Sequence, residues 1–590
     1  MPFICVAPNR VFKLYLPVII KAGVSVHSIH RKWFWFLLLL LLGCAVQAPP
    51  SGGPVDRIPP EIVRTDPLPE STRIAKNLDR LTIVFSERMK EGSERNNLFI
   101  SPPVPFKVQW KKGHILILQL QEPLKKRQTY VLSIGSALQD AHNNKMTASF
   151  NLAFSTGDSI DRGKISGRIY GLKRGQTFYV FAYRLSDSTR FDPFTIQPDY
   201  VTLNGQQGNY TLGYLKNGTY RVLAVEDRNH DLLLQAVAER FALSYRDVTL
   251  HDSMNVFNGL DMQPARLDTV PPLLTGARAK FNNLLILRFS EPLVLDSLTV
   301  ITITDSLTNR PLKIKDLAPA RKHKKWLEVI TAPMDSNRLY RVRCVNLTDS
   351  SGNRNRDTLT ACFKSTTKTD TTTFKLLHHF PKDSAKTVRP EAAIRLEFNQ
   401  PLNWRQVREN YRLLNASGKA LSGRWQIKNL YQGIFRPQKP LLPDHAYRSV
   451  LRLKKIHSYF GKSLQDSLSS HVFQIVSQKE LGEISGTVQV QGKVSCPIVV
   501  NVQRIAGKRL HLRRVVQGTR AFKFDYLPEG SYKLDVFIDL NANGKFDRGR
   551  LLPFRFCEPF KFLPDTIQVR KRWETGGVVV PLPVFADSLR

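Results

Sequence analysis

The chain has 590 residues, too many for one hydrophobic core at roughly 150 residues per domain, and 42% apolar content with 36 Pro and 33 Gly is that of a folded, turn-rich protein. Its 87 basic and 49 acidic residues give a formal charge of +38, spread along the whole length, which points to anionic surroundings. Past the N-terminus no apolar run reaches membrane-spanning length, and no zinc finger, RNA-stacking motif or basic helix accompanies the charge, so nucleic acid is not an expected partner.

In chain order the first readable segment is "RKWFWFLLLLLLGC" at 31–44. Arg31-Lys32 precedes an apolar core at 33–42 that fits the h-region of a secretory signal and is too short to cross a bilayer. Leu41-Leu42-Gly43-Cys44 resembles a bacterial lipobox, which implies cleavage before Cys44 and a diacylglyceryl anchor on its thiol, making a membrane the first expected partner. Residues 1–43 are then a signal peptide with an over-long lead-in, the true start falling near Val24 or Val26, and the Pro/Gly/Ser-rich 44–57 is a lipidated tether. Ala45 is not the aspartate that retains lipoproteins in the inner membrane, so by resemblance to that sorting rule the expected site is the outer membrane of a Gram-negative bacterium, on its periplasmic face or at the cell surface.

Three later stretches share one pattern: "LTIVFSERM" at 81–89, "LLILRFSEPL" at 284–293 and "AIRLEFNQPL" at 393–402. Apolar residues alternate and end in Phe85, Phe289 and Phe398, a period of two that predicts a half-buried strand. Each copy is followed by a second Phe near Ser or Thr (Phe154, Phe363, Phe473), and short strands between turn-rich stretches predict β-sandwiches of about 100 residues. Between and after them lies another repeat. "GKISGRIYG" (163–171) matches "GEISGTVQV" (482–490), and "LKNGTYRVLAVED" (215–227) matches "LPEGSYKLDVFID" (527–539), with equal spacing from Gly218 to Asp227 and from Gly530 to Asp539.

With "IPPEIVRTDPLPES", "LQDAHNNKM" and "FSTG", the first stretch resembles the bacterial Ig-like domain of surface-layer type, widespread in lipoproteins of the Bacteroidetes. The second copy keeps "LTDSSGNRN"; the third has "IHSYFGKSL" where the Asp-Asn turn should be. The other repeat resembles carboxypeptidase-regulatory-like or transthyretin-like sandwiches. The expected architecture is all-β: tandem Ig-like modules in an elongated array, with Ig-like domains at 58–158, 268–368 and 374–478 and regulatory-like sandwiches at 162–266 and 481–590.

Four cysteines remain in the mature chain, Cys344 and Cys362 in one module and Cys496 and Cys557 in another. Two per domain in an oxidising compartment suggests two intradomain disulfides, with free buried thiols as the alternative. The acid at the Phe-Ser-Glu strand end, Glu87 and Glu291, is replaced by Gln400 in the third copy, which cannot act as acid or base, so a turn role is favoured. No nucleophile elbow, His-Glu-x-x-His, phosphate loop or zinc spacing occurs, and His378-His379 read as a strand-end surface pair. Lys322-His323-Lys324-Lys325 and Arg570-Lys571-Arg572 read as solvated strand ends.

One loop invites a metal. In "FIDLNANGKFDRG" the ligands of a calcium loop fall at Asp539, Asn541, Asn543 and Asp547, with Gly544 at the bend. Arg550 stands at position twelve, where a bidentate carboxylate is needed, and Lys545 and Arg548 add positive charge; the competing reading is a hairpin turn. No other cofactor is expected. The function expected is that of a non-catalytic, lipid-anchored envelope protein that binds, adheres or scaffolds, its partner an envelope protein. The alternatives are a glycan- or lipopolysaccharide-binding protein, whose partner is an anionic glycan, and an undetected envelope hydrolase.

Overall fold

The computed structural model describes residues 56–582, apart from 174, 187–190, 206, 236–237, 491–493, 508 and 519. The signal peptide, Cys44, Cys5 and nearly all of the tether lie outside the described residues. What is described is almost entirely β, with one seven-residue α-helix, Trp404–Asn410.

The first and third Ig-like stretches fold as two sheets over one core, and the second adds a third, small sheet of Leu293–Val294, Leu347–Asp349 and Arg354–Asn355. In the first, Ile62–Asp66, Arg80–Phe85, Ile115–Leu120 and Phe106–Lys111 lie side by side in that order, against Leu98–Ser101, Thr129–Ile134 and Phe150–Ser155. The alternating residues Leu81, Ile83 and Phe85 point inward and meet Leu116, Leu132 and Phe154. All three Ig-like stretches repeat one further device. Tyr130, Tyr340 and Tyr447 stack on Phe154, Phe363 and Phe473, and each hydroxyl accepts a backbone N–H five residues upstream, from Lys125, Asp335 and Leu442 (2.8, 3.1 and 2.9 Å). The ring supplies buried area while the hydroxyl anchors the strand entry.

The second and fifth modules, at 162–266 and 481–590, explain their own motif. Gly218 and Gly530 sit at φ of +150° and +146°, and a Cβ there would meet the guanidinium of Arg184 or Arg504. Those arginines donate to Asn217 O and Glu529 O (2.8 and 2.5 Å), closing the turn that the glycine opens. Two residues on, Tyr220 and Tyr532 donate to the carbonyls of Lys216 and Pro528, both at 2.6 Å. The Leu-x-x-Gly-[Ser/Thr]-Tyr pattern is thus a corner built the same way twice.

The second and fifth modules, separated in sequence by two others, are neighbours in space. Val499, Phe537, Cys557 and Phe560 of the fifth module belong to one apolar cluster with Ile165, Val180, Tyr210 and Leu260 of the second. Tyr170 packs on Phe562 and Phe560 at ring distances of 4.7 and 6.0 Å. Lys561 Nζ meets Asp261 Oδ2 at 2.9 Å, and Cys557 N donates to Ser244 O. On the other face of the second module, Phe99 of the first and Leu551 of the fifth join Tyr179, Phe181 and Leu223 in a second cluster.

The disulfide expectation is corrected. All four cysteines are free. Cys344 faces the sandwich core and Cys362 faces solvent opposite Arg341, so the strand pleat puts the two thiols on opposite sides of one sheet. Cys557 is spent in the core shared with the second module, whereas Cys496 packs at the edge of the fifth module's own core. Burial pushes the Cys344 thiol up to about 12 and that of Cys557 higher still. The His378-His379 pair is also corrected. His379 is buried and stacks on His471 at 3.8 Å, while His378 is exposed.

Candidate functional site

The Asp539 loop leaves the long strand Gly530–Ile538 and returns toward Phe560–Phe562. The run Leu534, Val536 and Ile538 buries that strand, and the chain must then reverse, which it does with positive φ at Ala542 and Gly544. Asp539 is only 3% exposed. Its carboxylate accepts N–H groups from Asn543 (3.0 Å) and Gly544 (2.6 Å). Asn541 and Asn543 turn their amide N–H groups to Asp547, and their own oxygens accept the backbone N–H of Asn543 and Lys545. Arg513 closes the loop from outside by donating to Gly544 O.

A further carboxylate completes the loop. Glu558 accepts from Leu540 N (2.8 Å) and Asp547 N (2.9 Å), bridging the two ends. Burial raises its carboxyl to about 7, with Asp547 and Asp539 adding to the rise. The loop at Asp227 is built alike: Asp227 accepts from His230 N and Leu232 N, and Glu239 accepts from Arg228 N and Gln235 N. Both glutamates catch the N–H one residue and eight residues after their aspartate. Burial raises the Asp227 carboxyl too. The structure therefore brings the four sequence-predicted residues together and adds Glu558, which lies too far along the chain for a loop-spacing rule to find.

Chemically, each loop is a nest of backbone donors around buried carboxylates, and the carboxylates named above take their hydrogen bonds from the loop's own N–H groups. The carboxylates of Asp539, Asp547 and Glu558 are taken up by those bonds, and their oxygens do not converge as a cation-holding group does.

A separate acidic group lies in the second Ig-like module, where carboxylate oxygens of Asp268, Glu291 and Asp349 fall within 4.8 Å of one another. Glu291 is the strand-end acid read from sequence; burial raises its carboxyl, followed by the charges of Asp349 and Asp268. Its partner is the aspartate of the Asp-Asn turn in the same module, not an acid from another module. Asp349 holds that turn by accepting Ser351 N and Asn353 N, as Asp140 accepts His142 N and Asn144 N in the first module. In the third Ig-like module Ser458 accepts Lys462 N instead, and Gln400, fully buried, donates to Thr372 O. The polar pair changes chemistry while the turn keeps its shape.

No curated protein sequence matches the chain. Among solved structures, the N-terminal part of the bacterial S-layer protein SbsC has a TM-score of 0.17 at 11% identity, over 35% of this chain and 44% of that one, so this chain spans less than half of its length. An L,D-transpeptidase from Mycobacterium smegmatis has a TM-score of 0.13 at 14% identity, over 28% and 76%. The Bacillus anthracis TIE protein has 0.12 at 10% identity, over 90% and 76%. At such scores no argument rests on them. The bacterial Ig-like domain family, in contrast, matches residues 56–156 and 370–474, so the likeness to that family is carried by the first and third Ig-like modules.

Proposed function

We propose that this is a lipid-anchored, non-catalytic binding or scaffold protein of a Bacteroidetes-type cell envelope, held at the outer membrane through Cys44. The observation that carries the reading is the core common to the second and fifth modules. It fixes two modules into one frame, from which Ig-like edges and loops are offered to an envelope protein. The test is fatty-acid labelling and membrane fractionation of the full chain and of Cys44→Ala. Label and membrane association in the former and loss of both in the latter are expected; a soluble, unlabelled wild type would overturn the anchor. Cross-linking in intact cells should then trap the anchored protein with one stoichiometric envelope partner, and recovery of the bare chain alone would count against a scaffold.

A second reading, binding of a glycan or lipopolysaccharide, is favoured by one observation. Cations on the outer sheet of the second Ig-like module make no ion pair among the described residues, although the chain has 49 acidic residues to offer.

A further inference from the structure

The sheet of the second Ig-like module orders Leu274–Phe281, Leu284–Phe289, Trp326–Thr331 and Ile314–Pro319. Leu285, Leu287, Leu327 and Val329 face the sandwich core. By alternation Arg278, Lys280, Ile286, Arg288, Trp326 and Glu328 share the opposite face, and the register sets Ile286 between Arg278 and Glu328 and pairs Arg288 with Trp326. The third Ig-like module covers one end of this face, where Leu430 and Tyr431 pack on Leu284 and Ile330. The rest opens as a cleft of about 590 Å³, within the usual range for a small-molecule site.

Three features define what the cleft would take. Arg278, Arg288, Lys322 and Lys368 line it and have no carboxylate partner, unlike Arg321, which meets Glu397 at 3.2 Å. Glu328 is 7% exposed and lines the same cleft, with Asp370 as a second acid; Lys280, Arg321 and the Tyr431 hydroxyl face its carboxylate, and its Oε2 makes no hydrogen bond of normal length. The aromatic faces are already engaged: Arg288 lies 5.0 Å over Trp326, the His323 ring is 3.8 Å from it, and Arg321 lies 5.4 Å over Tyr431. Cations call for an acid group, while a carboxylate oxygen without such a bond calls for a hydroxyl donor beside it. Sulfate or chloride offers no such donor, and a nucleobase would need a free ring face for stacking.

We propose that this cleft binds an acidic saccharide, a sugar whose carboxylate or phosphate meets Arg278 and Arg288 while a neighbouring hydroxyl donates to Glu328. The inference rests on the glycan reading above and gives it a site. Calorimetric titration of the full chain tests it, with trigalacturonate, glucose 1-phosphate, maltotriose, inorganic sulfate and a single-stranded oligonucleotide as probes. The two acidic sugars separate a uronate from a phosphate source. At least one should bind, more weakly as salt rises, and maltotriose should not. Arg278→Ser/Arg288→Ser, on an exposed sheet face, should weaken acidic-sugar binding about tenfold or more. Glu328→Gln should narrow the preference for acidic sugar over sulfate. Unchanged affinity in the double variant, checked by an unchanged melting curve, would overturn the cleft and leave the glycan reading standing. No binding of either acidic sugar by the wild type would end both, and tighter binding of the oligonucleotide would end the saccharide assignment.

Discussion

The molecule joins its modules in two different ways. The second and fifth, nearly three hundred residues apart, merge apolar cores through Val499, Phe537 and Phe560. The second and third Ig-like modules, adjacent in the chain, meet through the small cluster of Leu284, Ile330, Leu430 and Tyr431 and through polar links: Tyr459 Oη to Asp316 at 2.6 Å, Asn283 to Tyr459 O at 2.9 Å, and Arg321 to Glu397. Sequence proximity does not set how firmly modules dock; the apolar area excluded from water does. The tight joint serves as a frame, and the sparse joint leaves a cleft at its rim.

The largest expected effect comes from the tight joint. Phe560→Ala should cost about 3–5 kcal/mol and loosen both modules, so hydrogen exchange should accelerate in 163–168 as well as in 530–538. Acceleration confined to the fifth module would mean that the cores are separable. Asp539→Ala removes the acceptor of the Gly544 N–H and one of the two acceptors of the Asn543 N–H, and should cost about 1 kcal/mol, measured by urea unfolding. Millimolar calcium should leave the wild-type melting temperature unchanged if the loop is the self-satisfied turn described above. A rise that Asp539→Ala abolishes would make it a calcium loop.

Acidity separates the regions by sign. Burial, and then His471, depress His379 to about 3, so the native third Ig-like module holds fewer protons than its unfolded chain below pH 6.5. Its stability is full above pH 6.5 and is lost as pH falls toward 3, by about 2 kcal/mol at pH 5. Glu558 runs the other way: its raised carboxyl favours the native fifth module at low pH, and that contribution fades as pH rises from 4.5 through about 7. Thermal unfolding of wild type and His379→Gln between pH 7 and 5 should show a low-temperature transition that moves only in the wild type. One transition shared by all modules would argue against a weak joint.

Smaller effects sharpen the picture. Tyr459→Phe should cost about 1 kcal/mol, read as faster exchange at the joint between the two Ig-like modules and not elsewhere. Last, thiol reactivity reports burial without an energetic change: in the native protein Cys362 should alkylate readily, while Cys344 and Cys557 should react only on unfolding. A Cys344–Cys362 disulfide found by mass mapping would contradict the sheet register.

How much of this was legible in the sequence follows from what periodicity can encode. Alternation at Leu81, Ile83 and Phe85 reports one buried face, so the half-buried Ig-like strands could be read directly. The second and fifth modules were found by repetition. Their docking was not, although a signal existed: Tyr179 to Tyr183 and Ile498 to Val502 are each buried at every position, runs without polar alternation, broken only by Asn501, that belong to strands covered on both faces. The Asp539 ligand set was legible because its members share one loop. Glu558, the His379–His471 stack and the Glu291–Asp349 pair were not, because each joins residues that only the tertiary fold brings together.

The core common to the second and fifth modules also imposes an order on biogenesis. A chain made from its N-terminus produces the second module long before Val499 and Phe560 exist to cover it. Until the C-terminal module arrives, that apolar surface must wait exposed, and closing a loop of some three hundred residues is slow compared with folding any single sandwich. Truncation anywhere before residue 560 would leave the surface uncovered, so a shortened chain of otherwise intact domains should aggregate where the full chain does not.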